Sequence, residues 1–182
     1  MGVTRTIFEN SKPYEELKRT IAQLNSSFVK VGFPEGAPTG KANKSKKDAK
    51  PYADMSEIAR VAAWNEFGVE YKEAVAARAK RGFMAAWKIP PRPFFRNAVD
   101  GWKEKIGAII EKTMDNVLIG KLTPAEGFDV LGNFGKREIQ LSIKRTLTPP
   151  NAPLTIEKKE SSHPLIDSGQ LLNSVTFLTV KK

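Results

Sequence analysis

Residues 94–147 hold the strongest constraint on the fold: two apolar stripes at helical spacing, separated by a punctuated turn. The first stripe runs through Phe95, Val99, Trp102, Ile106, Ile109, Ile110, Met114 and Val117. Steps of three and four place such positions on one side of a helix. The spacing predicts a helix over 94–119, ended by Gly120. Thr123 and Glu126 then make a capping box, and Pro124 falls at the first helical position, where a missing N–H has no partner to lose. A second long helix follows, with Phe128, Leu131, Ile139, Ile143 and Leu147 as its stripe. Gly132 and Gly135 weaken its middle by about 1 kcal/mol each relative to alanine. The segment "TPPNAP" stops it.

The remaining elements are shorter. "KPYEELKRTIAQLNS" carries Tyr14, Leu17, Ile21 and Leu24 at helical spacing, with Ser11 as a cap. "SFVKVGF" reads as a strand ended by Pro34 and Gly36. From Asp54, Ile58, Val61, Ala62 and Asn65 share one side of a helix, and Gly68 suits a left-handed terminal residue. Phe83, Ala85, Trp87 and Ile89 alternate as on one face of a strand. Residues 154–158 read as another strand, Asp167 with Gln170 as a cap on a short helix, and 175–180 as a final strand. The expected fold is α+β: a small, mostly antiparallel sheet of about four strands packed against two long helices, with extended loops and arms. Residues 1–26 form an N-terminal helical extension. Residues 27–182 form a single domain, with a basic loop at 37–51 and an inserted arm at 69–88.

A chain of 182 residues can bury one core. It has no cysteine, which excludes disulfides, thiolate metal sites and cysteine nucleophiles. The first residues lack the apolar run of a signal peptide, and no apolar stretch is long enough for a bilayer, so a cytosol-like setting is expected. The net charge of +10 favours polyanions nearby. Much of it sits in "GKANKSKKDAK", where Lys41, Lys44, Lys46, Lys47 and Lys50 face Asp48 alone. No aromatic residue interrupts these lysines, so base stacking is not their role. They read as a solvated loop or as one that grazes a phosphate backbone.

Chemistry is harder to find. The single histidine, His163, stands in a serine-rich turn before Pro164. No nucleophile-elbow pattern surrounds Ser161, Ser162 or Ser168, and no further ligands accompany the histidine at metal-binding spacing. "GFPEGAPTGK" is broken by prolines and lacks the hydroxyl that follows a phosphate-loop lysine. No catalytic, cofactor-binding or metal-binding residue is assigned.

"IPPRPFFRNAV" poses a different question. Arg92 and Arg96 flank Pro93 at a helix start, where the helix dipole disfavours positive charge. They need acidic partners, and an arginine fork suits a carboxylate. Glu66 in "NEFG" is expected to pair with Arg92 or Arg96 and lock two helices together. Phe94 and Phe95 must face different directions, one into the core and one over the sheet.

Five motifs stand in order: "VKVGFPEG", "IARVAAWNEFG", "IPPRPFFRNAV", "PPNAPLTIEKK" and "HPLIDSGQLLNSVTFLTV". Together they resemble the tail-completion proteins of tailed bacteriophages, also called virion-morphogenesis or neck proteins. The resemblance spans residues 27–182 and departs from the usual pattern in the long basic stretch 69–88 and the long lysine loop. It implies a structural job without enzymatic activity: a ring, of six copies, between the DNA-filled head and the tail. Expected partners are copies of itself, head-side adaptor or connector proteins, and tail-terminator or tail-tube proteins. Genomic DNA would pass through the lumen without sequence-specific contact, and no membrane is involved. The expected location is the virion neck, and the host cytoplasm during assembly. Trp87, Phe83, Arg78 and Arg81 are the interface candidates; Lys41, Lys44, Lys46, Lys47 and Lys50 are the DNA-facing candidates. The rival from another class is a basic nucleic-acid-binding protein that uses lysines 41–50 together with Arg78 and Arg81. A weaker rival is a hydrolase built on His163.

Overall fold

The long helical hairpin organises the chain. In the computed structural model, described here for residues 12–41, 54–70 and 88–182, helix α3 (Phe94–Leu118) is followed by α4 (Pro124–Arg145). The capping box opens α4: Glu126 N–H donates to Thr123 Oγ1 at 3.3 Å, and Thr123 N–H donates to Glu126 Oε2 at 2.7 Å. Pro124 occupies the first turn as the sequence predicts. The hairpin reverses through Gly120, whose φ of 75° suits a residue without Cβ.

Before the hairpin come α1 (Lys12–Asn25), β1 (Ser27–Gly32), α2 (Met55–Phe67), β2 (Val69–Glu70) and β3 (Lys88–Ile89). After it come α5 (Pro153–Lys159), α6 (Gln170–Asn173) and β4 (Thr176–Lys181). Strands β1 and β4 pair antiparallel from Ser27↔Lys181 to Gly32↔Thr176. Strands β2 and β3 pair as Val69↔Ile89 and Glu70↔Lys88. The class is α+β, as the sequence indicates, but the described strands form two separate two-stranded sheets rather than one sheet of about four.

A two-stranded sheet is marginal in water and needs a covered face. Here α4 covers it. Val31 and Phe177 stand opposite each other in the register and face the helix at Gly135 and Gly132. A Cβ at Gly132 would collide with the Phe177 ring, and one at Gly135 would crowd Val31 and Trp102 at 3.1–3.2 Å. These glycines let strand side chains reach the helix backbone. Their propensity cost, read from the sequence as a weakness, is the condition for seating the sheet.

The core combines Ile58 and Ala62 of α2, Phe94 and Ala98 of α3, Ile139 and Ile143 of α4, and Leu165, Leu171 and Val175 near the C-terminus. Phe94 is fully buried, while Phe95 lays its ring against Gly32 at the end of β1; the two phenylalanines divide core and sheet as expected. Trp102 packs near Phe134, with ring centroids 6.0 Å apart. In contrast, α1 buries none of its residues, and Leu17 and Ile21 remain exposed.

Several local readings change. Residues 154–158 lie in helix α5, because Pro153 sets a helical φ at its start and five residues of alternation cannot outweigh that. Helix α6 is entered through Gly169, at φ 79°, which stands at its N-cap position. Leu147 lies beyond the end of α4 and is exposed. Pro93 sits one position before α3, as its N-cap. The cap proposed at Ser11 lies outside the described residues.

Candidate functional site

The densest set of long-range polar contacts surrounds the start of α3. Pro93 supplies no capping side chain, so the first N–H groups of α3 need acceptors from elsewhere. Glu66, near the end of α2, provides them. Its Oε2 accepts the Phe95 N–H at 2.8 Å, and its Oε1 accepts the Arg96 N–H at 3.2 Å. A carboxylate at a helix N-terminus also meets the positive end of the dipole. Arg96 Nε donates to the same Oε1 at 2.9 Å, and an Arg96 terminal nitrogen donates to the Glu66 carbonyl at 3.4 Å. Glu66 is buried and Arg96 largely exposed, with its guanidinium 5.4 Å from the Phe67 ring centroid. The positive charge at this helix start is offset by a carboxylate from another helix.

Arg92 behaves differently. It is only 4% exposed, and no carboxylate pairs with it among the described residues. Its Nε donates to the Pro149 carbonyl at 2.8 Å. Its other nitrogens donate to Asn65 Oδ1 at 3.2 Å, the Pro150 carbonyl at 3.2 Å and Asn151 Oδ1 at 3.3 Å. The Arg92 N–H also donates to the Asn65 carbonyl at 2.6 Å. Burial pushes the guanidinium down from its ordinary value, and a cage of oxygen dipoles holds its charge. Prolines 149 and 150 suit this cage, since their carbonyls are acceptors without N–H groups to satisfy.

Gly68 completes the α2 end of the node. Its N–H donates to the Trp64 carbonyl at 2.9 Å, and its φ is 75°. A Cβ there would meet the Ile89 carbonyl at 2.9 Å and Pro91 at 3.0 Å, so the backbones approach closely only because this residue is glycine.

Of the expected lock residues, the structure joins Glu66 to Arg96 and sends Arg92 to a separate partner set. Sequence reading missed Asn65, Pro149, Pro150 and Asn151; the proline pair and flanking asparagine in "TPPNAP" were the available signal. Asn151 carries the network onward, its Nδ2 donating to the His163 carbonyl at 3.2 Å. His163 is half-buried. Its Nδ1 accepts the Leu165 N–H at 3.3 Å, which leaves Nε2–H to donate to the Lys144 carbonyl at 3.0 Å. Both ring nitrogens therefore hold backbone. Ser161 Oγ donates instead to the Ile166 carbonyl at 3.1 Å.

Among the lysines proposed to face DNA, Lys41 is exposed, and its carbonyl accepts from Asn173 Nδ2 at 2.6 Å. Lys44, Lys46, Lys47 and Lys50 lie outside the described residues, as do Arg78, Arg81, Phe83 and Trp87. Among the described residues, no three His, Asp or Glu side chains are placed to hold a metal ion, and no helix is long and apolar enough to cross a membrane. Comparison with family models, curated proteins and solved structures returned no match.

Proposed function

We propose that this chain is a structural protein of a tailed-phage neck, forming a ring that completes the tail and joins it to the DNA-filled head. The observation that carries the reading is convergence. The five motifs behind the resemblance occupy one connected set of contacts. Gly32 of "VKVGFPEG" meets the Phe95 ring, and Glu66 of "WNEFG" caps Phe95 and Arg96 of "RPFFR". Arg92 binds Pro149, Pro150 and Asn151 of "PPNAP", and Asn151 binds the His163 carbonyl of "HPLIDSGQ". These residues are spent on holding segments together, which suits a part that works by shape. Exposed apolar side chains on α1, and Leu118 with Ile119 at the tip of the hairpin, supply surface for copies or partners.

The test is assembly in the absence of this chain. DNA-filled heads and tails are expected to accumulate separately and to join when purified protein is restored. Joined particles at ordinary yield without it would overturn the reading. The nucleic-acid rival is separated by duplex binding that falls steeply with salt.

A further inference from the structure

We propose that the groove between the start of α3 and the end of α4 binds a phosphate group. This does not rest on the head–tail reading. The groove has a volume of about 300 Å³, and the small residues Ala98, Gly101 and Ser142 stand among the larger ones that line it. A Cβ at Gly101 would meet nothing within 4 Å. Asn97, Gly101 and Lys105 recur at steps of four on α3, while Glu138, Ser142 and Arg145 recur at steps of four and three on α4. Each set therefore lines one side of its helix.

The donors decide what fits. Ser142 Oγ donates to the Phe94 carbonyl at 2.6 Å, and Thr146 Oγ1 donates to the Ser142 carbonyl at 2.8 Å, so these hydroxyl protons are committed. Among the described residues, the Asn97 amide, the Lys105 ammonium and the Arg145 guanidinium have no such engagement. Among the described residues neither cation forms an ion pair, even with Glu138 of the same groove. Two cations and an amide donor bordering one polar hollow suit an anion with several acceptor oxygens and more than one negative charge, as phosphate has, and the arginine fork matches such oxygens. Glu138 opposes the anion and moderates the affinity. The phosphate has two possible sources: a small free phosphate compound or the backbone of a nucleic acid lying over the groove.

Calorimetric titration of the full chain with inorganic phosphate, and separately with a short DNA duplex at one fixed ionic strength, distinguishes them. Arg145→Ala is expected to weaken phosphate binding about tenfold, the loss of one charge-assisted hydrogen bond. Glu138→Gln is expected to tighten it about fivefold by removing a like charge. Lys105 and Arg145 are exposed and Glu138 is half-buried, so circular-dichroism melting of each variant should stay close to the parent and exclude a folding defect. Sensitivity to both substitutions with inorganic phosphate alone assigns the site to small phosphate compounds. The same sensitivity with duplex assigns it to a nucleic-acid backbone. Binding of both probes that is absent or indifferent to Arg145→Ala, or that weakens with Glu138→Gln, overturns the proposal.

Discussion

Glu66 accepts the backbone N–H of Phe95 at 2.8 Å, across 29 positions of sequence, and so caps a helix to which it does not belong. The contact does two things at once. It satisfies a donor that Pro93 cannot, and it places negative charge beside Arg96 at the helix start.

Replacing Glu66 should therefore cost far more than replacing Arg96. Glu66→Ala leaves two part-buried backbone donors without acceptors and is expected to destabilise the fold by about 1–3 kcal/mol. Arg96 is 60% exposed on its side chain, so Arg96→Ala should cost less than about 1 kcal/mol. Urea denaturation of both variants checks the asymmetry; equal losses would mean that the ion pair, not the cap, is the main contribution.

Arg92→Lys is expected to destabilise by about 2 kcal/mol or more despite keeping the charge. One ammonium cannot reach the carbonyls of Pro149 and Pro150 and the amide oxygens of Asn65 and Asn151 with the geometry of a planar fork. Thermal melting of this variant near the parent value would show the cage to be dispensable.

Glycine-to-alanine changes in the two long helices should have opposite signs. At Gly107 an added Cβ meets nothing within 4 Å, so Gly107→Ala should stabilise by about 0.5–1 kcal/mol. At Gly132 the Cβ would collide with the Phe177 ring, and Gly132→Ala should destabilise by about 1–3 kcal/mol. Denaturation midpoints of the two single variants decide the matter.

The start of α4 should respond to acid. Hydrogen bonds from the Thr123 N–H and then the Thr123 hydroxyl hold the Glu126 carboxyl below its ordinary value. A carboxyl lowered in the folded state stabilises fully above its unfolded value of about 4.3, and that contribution fades as pH falls through the lower folded value. The stability difference between the parent and Glu126→Gln is thus expected to be constant near neutral pH and to shrink in the acid range below about 4.3. Thr123→Ala should cost about 1 kcal/mol near neutral pH and less in acid. Denaturation series at several pH values read both effects.

The sequence by itself determined the features whose causes lie within a few residues. The capping box at Thr123 and Glu126, the turn at Gly120, the stripes of α3 and α4 and the final strand all follow from spacings of two, three or four positions. Chain geometry brings such residues together in any fold that keeps the element. Residues 154–158 failed the same reading because their pattern was too short to choose between periods, and Pro153 decided it locally. Only the tertiary structure decided that Glu66 serves Arg96 and the helix start, while Arg92, 57 to 59 positions from Pro149 and Asn151, is held by carbonyl dipoles. Only packing turned Gly132 from a weak point into the seat of Phe177. The physical reason is common to all three: a side chain's composition states what it can donate, accept or fill. Which distant group stands within reach is set by how helices and sheet are laid together.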